Sequence, residues 1–330
     1  MNEEYPDIKE DTPSMTQDRF PVLAQLSVLG IIMFSLFGGF IFGVEEPINT
    51  DTPPLIISDS SKQSPVVLEK IDEPPLRATA AYVWDVRTQR ALYSKNAFEE
   101  LPLASITKLM TALLAHELME SSQPTTISLN AIRQEGSSGL LAGEELTADE
   151  LRELALISSS NDAAFALAAS VGVLLGDNDP TAQFIRGMNI RADMLGLETL
   201  EFWNTTGLDL SLTKPGSIGS ARDVSFLMEY IITEYPEILE PTMKASTRVY
   251  NSSGDYHDAN NTNPIVLDIP NLLGSKTGFT DLAGGNLTIA FDAGLNRPII
   301  ITVLGSTRDE RFTDVLTLVQ AVQESIGKQE

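Results

Sequence analysis

The longest apolar run of the chain lies near its beginning and is followed by a proline-rich stretch. Residues 22–44 carry no charged side chain and are long enough to span a hydrocarbon core of about 30 Å as a helix. This run is longer than the apolar region of a cleavable signal peptide, and no A-x-A-like cleavage site follows it. We therefore expect a short cytoplasmic tail over 1–21, a transmembrane signal-anchor helix over 22–44 and an extended tether over 45–77.

Basic residues on the two sides of the apolar run favour one orientation. Lys9 and Arg19 precede it, whereas Lys62 is the first basic residue behind it. Cytoplasmic segments beside a membrane span are enriched in lysine and arginine. We therefore expect a membrane protein with one span, whose domain over 78–330 lies on the extracytoplasmic side.

The remainder of the chain alternates between strand-like and helix-like patterns. Runs rich in β-branched and aromatic residues predict strands, joined in pairs by turns at 87–90 and 292–297. These strands are 80–85, 91–93, 286–291 and 298–304. Apolar residues at helical spacing predict helices, the clearest of which are 108–119, 151–157, 161–169 and 311–326. Strands at both ends with helices between them predict a mixed α/β domain of the α+β kind.

Composition narrows the chemistry that this domain can perform. The chain has no cysteine and two histidines, which excludes thiol catalysis and cysteine-ligated zinc. The same count leaves few ligands for any zinc site, so we expect no metal and no cofactor. The net charge of -24 argues against nucleic acid as a partner, because nucleic-acid binding requires basic patches.

The string Ser105-Ile-Thr-Lys108 opens the apolar stretch over 108–119 and follows Pro102. Serine is a favoured N-cap, and positions i and i+3 share a helix face, so Ser105 and Lys108 are expected side by side. Burial favours the neutral form of a lysine, and a neutral lysine beside a serine is a base beside a nucleophile. The alternative is a capped core helix whose Lys108 extends to solvent.

A second copy of this spacing, Ser211-Leu-Thr-Lys214, is followed at once by Pro215-Gly216. Proline and glycine end a helix, so this copy is expected in a loop without a fixed Ser–Lys relation. His116 lies about three turns along the helix from Ser105 and is too distant to be its base. A triad that uses His257 stays open, although the polar run 251–263 around it predicts a surface loop.

The string Ser159-Ser-Asn161 lies at the break between two predicted helices. A hydroxyl and an amide at such a junction can face a cleft, where the hydroxyl relays a proton and the amide holds a peptide. The alternative is simple N-capping by Ser160 or Asn161.

The string Lys276-Thr-Gly278 lies in a strand-like run whose glycines permit close approach of the backbone. On an exposed edge strand, Lys276 and Thr277 can bind a carboxylate while free backbone N–H groups pair with an extended peptide. The alternative is an ordinary edge strand with a surface lysine.

The three strings in this order are the motif set of penicillin-binding proteins and serine β-lactamases. Further similarity lies in Pro102-Leu-Ala-Ser-Ile-Thr-Lys-Leu-Met-Thr111, Lys276-Thr-Gly-Phe-Thr280 and Asn204-Thr-Thr-Gly-Leu-Asp209. Over residues 78–326 the chain resembles the low-molecular-mass penicillin-binding proteins of the D-alanyl-D-alanine carboxypeptidase family. It departs from them at Ser160, where the family usually has glycine, and in leaving little chain after Gly278 for the second, β-rich domain of many relatives.

The resemblance implies a penicillin-binding protein/β-lactamase-like fold. This fold is an antiparallel sheet flanked by helices, with an all-helical subdomain over about 105–235 and the site between the two parts. In the implied mechanism, Lys108 deprotonates Ser105, which attacks the carbonyl between the two terminal D-alanines of a peptidoglycan stem peptide. Ser159 relays the proton to the leaving D-alanine, and water then hydrolyses the acyl-serine.

The same resemblance implies the residues that hold the substrate. They are Asn161, Lys276, Thr277, Gly278, Phe279 and Arg311. Backbone N–H groups of Ser105 and Phe279 would form an oxyanion hole, and Arg311 would face the terminal carboxylate. β-Lactam antibiotics are the expected covalent inhibitors.

Three other functions remain open from the sequence. A D,D-endopeptidase that cleaves peptidoglycan crosslinks uses the same residues. A class A β-lactamase requires an ExxLN loop with a deacylating glutamate, and residues 198–204 do not match that pattern. A catalytically silent cell-wall binding protein is the third, although all the motif residues are present.

Overall fold

The computed structural model describes residues 71, 73–136, 138–176, 178–294 and 296–327. The expected cytoplasmic tail, the apolar run over 22–44 and the tether up to residue 70 lie outside these residues. Within the described part of the chain, no helix is both long and apolar enough to cross a membrane.

A five-stranded antiparallel sheet joins the two ends of the described chain. Its strands are β1 (Ala80–Asp85), β2 (Arg90–Lys95), β10 (Leu272–Thr280), β11 (Gly284–Asp292) and β12 (Pro298–Ser306). They lie in the order β10-β11-β12-β1-β2, so β10 is an edge strand. The strands and turns predicted around the first and last hairpins are confirmed.

Helices occupy the middle and the end of the chain. They are α1 (Lys108–Leu118), α2 (Ala148–Ile157), α3 (Asn161–Leu175), α4 (Pro180–Met194), α5 (Ala221–Glu234) and α6 (Glu310–Gly327). Polar caps fix several of their starts. Thr147 and Glu150 form a capping box at α2, and the side chain of Ser220 accepts a hydrogen bond from the backbone N–H of Asp223 at α5.

Apolar side chains cover both faces of the sheet. Ala290, Ile300 and Leu304 face the helical subdomain, whereas Ile289, Ile301 and Val303 face α6 on the other side. Because alternate residues of a strand point to opposite faces, both sets are buried. This double coverage explains the nearly continuous apolar runs in β11 and β12.

The prediction that the subdomain is all-helical is wrong. It also contains the short strands β4 (Pro124–Thr126), β5 (Glu145–Thr147), β6 (Glu201–Phe202) and β7 (Ser217–Gly219), and a further short strand, β3 (Leu101–Pro102), lies just before it. They pair as β4-β5 and β3-β7-β6. Strands of two or three residues are too short to show an alternating pattern in the sequence.

The polar run predicted to be a surface loop contains half of a hairpin. Strands β8 (Ser246–Tyr250) and β9 (Tyr256–Asn260) pair with each other, and His257 lies in β9. The Nε2 atom of His257 is 2.6 Å from Oε1 of Glu144, which ties the hairpin to the segment before β5. Polar side chains hide this hairpin in the sequence because it has no alternating apolar face.

Candidate active site

Ser105 lies in a 3-10 turn, Ala104–Thr107, that leads directly into α1. The Nζ atom of Lys108 is 2.8 Å from its Oγ atom, so the two residues are side by side, as the i, i+3 spacing predicted. The expectation that Ser105 is an N-cap is wrong, because the cap position of α1 belongs to Thr107. The serine hydroxyl is therefore not used to hold the helix and is available to the lysine.

Lys108 is completely buried, which rules out the alternative of a lysine that extends to solvent. Burial, together with the nearby charge of Lys276, lowers the pKa of Lys108 well below its usual value. Its Nζ atom is also 2.8 Å from the carbonyl oxygen of Thr206. A neutral amine can donate to this carbonyl and still accept the hydroxyl proton of Ser105, which is the arrangement a general base requires.

The second copy of the Ser–Lys spacing forms a turn, as predicted. The Oγ atom of Ser211 accepts hydrogen bonds from the backbone N–H groups of Thr213 and Lys214. The amine of Lys214 lies 5.0 Å from the ring centroid of Trp203, so it faces an aromatic ring. This copy lacks the geometry of a nucleophile and its base.

Ser159 stands in the left-handed region, with φ of +59°. Such a backbone costs a residue other than glycine about 1–3 kcal/mol and is concentrated at functional sites. Its neighbour Ser160 caps α3 by accepting from the backbone N–H of Ala163. The capping alternative therefore holds for Ser160 alone, and the Oγ atom of Ser159 faces the amine of Lys276 at 3.0 Å.

Only one of the two polar atoms in the side-chain amide of Asn161 has a hydrogen-bond partner among the described residues. Its Nδ2 atom donates to the carbonyl oxygen of Glu135 at 2.7 Å. Its Oδ1 atom is buried and accepts no hydrogen bond from the described residues. A buried acceptor without a donor is costly, so this oxygen is suited to receive an N–H group from a bound peptide.

Lys276 differs from its prediction. It lies on an edge strand, but its side chain is 1% exposed, so the expected exposed position is wrong. The 3-10 turn of Ser105 packs against β10, and Ser159 at the break between α2 and α3 contacts the amine of Lys276. Burial and the charge of Arg311 lower the pKa of Lys276 to about 7.

Thr277 has a partner that the sequence did not reveal. Its Oγ1 atom is 2.6 Å from the Oγ1 atom of Thr262, in the segment that follows β9. The backbone N–H of Thr262 donates to the carbonyl oxygen of Ile157 at the end of α2, so this pair joins β10 to the helical subdomain. Strand and helix patterns give no signal for such a contact, although the turn-forming Asn261 and Asn263 mark the segment.

Gly278 allows β10 to approach the nucleophile. A Cβ atom there would lie 2.7 Å from the carbonyl oxygen of Leu103 and 3.2 Å from the amide nitrogen of Ser105. Only glycine fits so close to a backbone. The next residue, Phe279, is 38% exposed at the open side of the strand. This close approach is the one that an oxyanion hole built from the N–H groups of Ser105 and Phe279 requires.

Arg311 lies behind the same strand. Its Nη1 atom donates to the carbonyl oxygen of Gly278 at 2.7 Å, and the side chain is 7% exposed. Burial and the charge of Arg308 lower its pKa to about 10. The observed contact holds the backbone of β10, and a contact with a substrate carboxylate stays a prediction.

Histidine takes part in none of these contacts. His116 pairs with Glu237 at 3.1 Å, and His257 pairs with Glu144. A triad of Ser105 and His257 therefore finds no support in the contacts of either residue.

Comparisons with known proteins agree with this geometry. Residues 68–308 match the peptidase S11 family, D-alanyl-D-alanine carboxypeptidase. The chain is 31% identical over 248 residues to the D-alanyl-D-alanine carboxypeptidase DacF of Bacillus subtilis, a match covering 73% of this chain and 61% of the relative. It is 30% identical over 237 residues to a D-alanyl-D-alanine endopeptidase of Pseudomonas aeruginosa, with 69% and 71% covered. The chain thus spans less than two thirds of the first relative.

Solved structures give the same result for the fold. Penicillin-binding protein D2 from Listeria monocytogenes, in its ampicillin-bound form, has 28% identity and a TM-score of 0.63, over 76% of this chain and 99% of that one. The Streptomyces K15 DD-transpeptidase has a TM-score of 0.68 at 23% identity, over 76% and 99%, which shows the shared fold. With its Ser–Lys pair, its left-handed Ser159 and its glycine against the nucleophile, the chain belongs to the D-alanyl-D-alanine carboxypeptidase family of serine peptidases.

Proposed function

We propose that the protein is a serine D-Ala-D-Ala carboxypeptidase that trims peptidoglycan stem peptides through a covalent acyl-serine. The observation that carries the proposal is the fully buried Lys108, with its lowered pKa, 2.8 Å from the hydroxyl of Ser105. A lysine in this state at neutral pH is a base, and the serine beside it is the group it can activate.

Acylation follows from this pair. Lys108 accepts the hydroxyl proton as Oγ of Ser105 bonds to the carbonyl carbon between the two terminal D-alanines. The charge that develops on the carbonyl oxygen is stabilised by the N–H groups of Ser105 and Phe279, and one such donor typically contributes about 10²–10³ in rate. The carbon–nitrogen bond then breaks, and the proton passes from Lys108 through the hydroxyl of Ser159 to the leaving amine. Water then bonds to the acyl carbon and gives a proton to Lys108, the bond to Oγ of Ser105 breaks, and Lys108 returns the proton to that oxygen.

Substrate binding uses the edge of β10. An extended peptide pairs with the free side of the strand, and the Oδ1 atom of Asn161 accepts one of its N–H groups. The terminal carboxylate lies among Lys276, Thr277 and Arg311. The lysine and the arginine bring positive charge into a chain of strongly negative net charge. The same groups would receive the carboxylate of a β-lactam, and the relative from Listeria monocytogenes was solved in ampicillin- and cefotaxime-bound forms.

Release of D-alanine tests the proposal directly. The full-length protein is incubated with a stem pentapeptide ending in D-Ala-D-Ala and, separately, with a crosslinked stem-peptide dimer, with Ser105→Ala as the control. We expect one D-alanine per pentapeptide and slower cleavage of the dimer. Faster cleavage of the dimer would favour the D,D-endopeptidase function, which is the name of the relative from Pseudomonas aeruginosa. Cleavage of neither substrate by protein that acylates with penicillin would contradict both.

The pH dependence of acylation should show whether the charge of Lys276 attracts the carboxylate of penicillin. Its pKa is lowered to about 7, so the free enzyme loses this positive charge as the pH rises above 7 and attracts the carboxylate of penicillin less. We expect the second-order acylation rate constant to fall there. A bound carboxylate favours the charged amine, so at saturating penicillin the fall moves to higher pH. Stopped-flow measurement at both concentrations checks this.

The matched control for this profile is Lys214→Met, which removes the lysine beside Trp203 and should leave the profile unchanged. A fall at the same pH in both concentration regimes would show that Lys276 does not meet the carboxylate.

We infer that residues 22–44 anchor the protein in the membrane with the catalytic domain outside. The uncharged run in the sequence supports this proposal. We expect the full-length protein in the membrane fraction, and a truncated chain that begins at Arg77 in the soluble fraction with its penicillin acylation rate intact. Recovery of the full-length chain in the soluble fraction would contradict the anchor.

A further inference from the structure

The segment between β6 and β7 contacts three parts of the candidate site. The carbonyl oxygen of Thr206 accepts from Lys108. Gly207, with φ of +82°, lies so close to the turn of Ser105 that a Cβ atom would be 1.8 Å from the carbonyl oxygen of Ala104. The carboxylate of Asp209 then contacts the end of β10. We call residues 204–209 the clamp segment.

Asp209 makes two contacts beyond the clamp segment. Its Oδ1 atom accepts from the hydroxyl of Thr280 at 3.0 Å, and its Oδ2 atom is 3.3 Å from the backbone nitrogen of Leu282. The Thr280 hydroxyl in turn accepts from the backbone N–H of Ala283 at 3.2 Å. The carboxylate thus fixes the residue directly after Phe279 and the turn into β11.

Hydrogen bonds hold the backbone of the clamp segment on both sides of Asp209. The Oδ1 atom of Asn204 accepts from the backbone N–H of Gly207 at 2.7 Å, and its Nδ2 atom donates to the carbonyl oxygen of Leu208 at 2.7 Å. Behind Asp209, the backbone N–H of Leu210 donates to the carbonyl oxygen of Lys214 at 2.8 Å. The backbone before and after Asp209 is therefore held in place by hydrogen bonds.

We propose that Asp209 is a positioning residue that holds the Phe279 N–H at its distance from Ser105. The clamp segment is fixed to the nucleophile side by Lys108 and Ala104, and Asp209 ties it to the oxyanion side through Thr280. Without this carboxylate, the end of β10 keeps its pairing with β11 through Phe279 and Thr280. It loses its tie to the clamp segment, so the end of the hairpin can shift relative to the turn of Ser105. Because a misplacement of about 1 Å can cost about 10² in rate, a small shift weakens stabilisation of the oxyanion.

This inference rests on the proposed acyl-transfer function and predicts an effect on the chemical step. Asp209→Ala should lower the acylation rate at saturating penicillin about 10- to 100-fold, while the apparent dissociation constant for penicillin changes less than about threefold. Asp209→Asn removes the charge and offers an N–H group to one of two donors, so we expect a loss of about tenfold. Thr280→Val should lose about as much, and Thr280→Ser, which keeps the hydroxyl, should restore the wild-type rate.

Stopped-flow acylation of the full-length protein by a fluorescent penicillin separates position from folding. The amplitude of the acylation signal is proportional to the number of molecules with a folded site. The acylation rate constant reports how fast these folded molecules react. The matched control is Asp281→Asn, which makes the same charge change at an exposed position beside Thr280 and should acylate at the wild-type rate. In the double variant Asp209→Ala/Thr280→Val, loss of the second partner should have little further effect, because the pair acts as one unit.

Three outcomes would overturn the inference while the wild-type protein acylates. They are a wild-type rate in Asp209→Asn and Thr280→Val, a reduced amplitude with an unchanged rate, and an equal loss in Asp281→Asn. If the wild-type protein itself forms no acyl-enzyme, the proposed function fails and the inference fails with it.

Discussion

Ser105→Ala is expected to abolish covalent labelling by penicillin and release of D-alanine. The variant removes the oxygen that forms the acyl bond in the proposed mechanism, and loss of a serine nucleophile typically costs about 10⁶ in turnover. The fold should persist, because the Oγ atom of Ser105 does not cap α1. Gel fluorescence after incubation with a labelled penicillin measures the bond, and thermal unfolding confirms that the variant is folded.

Ser211→Ala is the matched control, since it removes the serine of the second Ser–Lys copy. It should label like the wild type, because the hydroxyl of Ser211 holds a turn through Thr213 and Lys214. Label on the Ser105→Ala protein, or its loss in Ser211→Ala, would show that Ser105 has been wrongly assigned.

Lys108→Arg should reduce the acylation rate by about 10²–10⁴, the usual contribution of a general base. Arginine stays protonated at the neutral pH of the assay, so it cannot accept the proton of Ser105. The larger guanidinium must also fit into a completely buried position, which leaves a loss of packing as a second explanation.

Lys108→Met separates these two explanations. Methionine has a similar length and no charge, so it fills the buried space without offering a base. We expect acylation to be lost as in Lys108→Arg while the thermal unfolding midpoint stays close to that of the wild type. Acylation at nearly the wild-type rate in either variant would mean that the first step of the mechanism uses another base.

Local sequence rules predicted the parts of the site that lie within one helical turn or one strand. The pairing of Ser105 with Lys108 follows from the i, i+3 spacing. The failure of the second copy follows from the proline and glycine behind it. The hairpin strands of the sheet were predicted because their apolar residues are dense and are bounded by turn-forming residues.

Local sequence rules could not predict the burial and the contacts of the charged groups. Lys276 was predicted on an exposed strand, yet it is buried because Ser159, 117 positions away in sequence, lies over its amine. The carbonyl group that holds Lys108 comes from Thr206, 98 positions away. Contacts at such separations depend on how the sheet packs against the helical subdomain. The spacing of apolar residues within a strand or helix carries no information about that packing.

The sequence alone therefore determined which groups are available for the proposed reaction, because Ser105, Lys108 and the glycine of β10 are set by residue type and short spacing. Only the tertiary structure decided in which state these groups are held. Burial between the sheet and the helical subdomain lowers the pKa of Lys108 and of Lys276, and Gly278 of β10 packs directly against the backbone of the turn that holds Ser105. The desolvation of the two lysines and the distances between the site residues depend on the packing of the sheet against the helical subdomain, so they arise only when the chain folds.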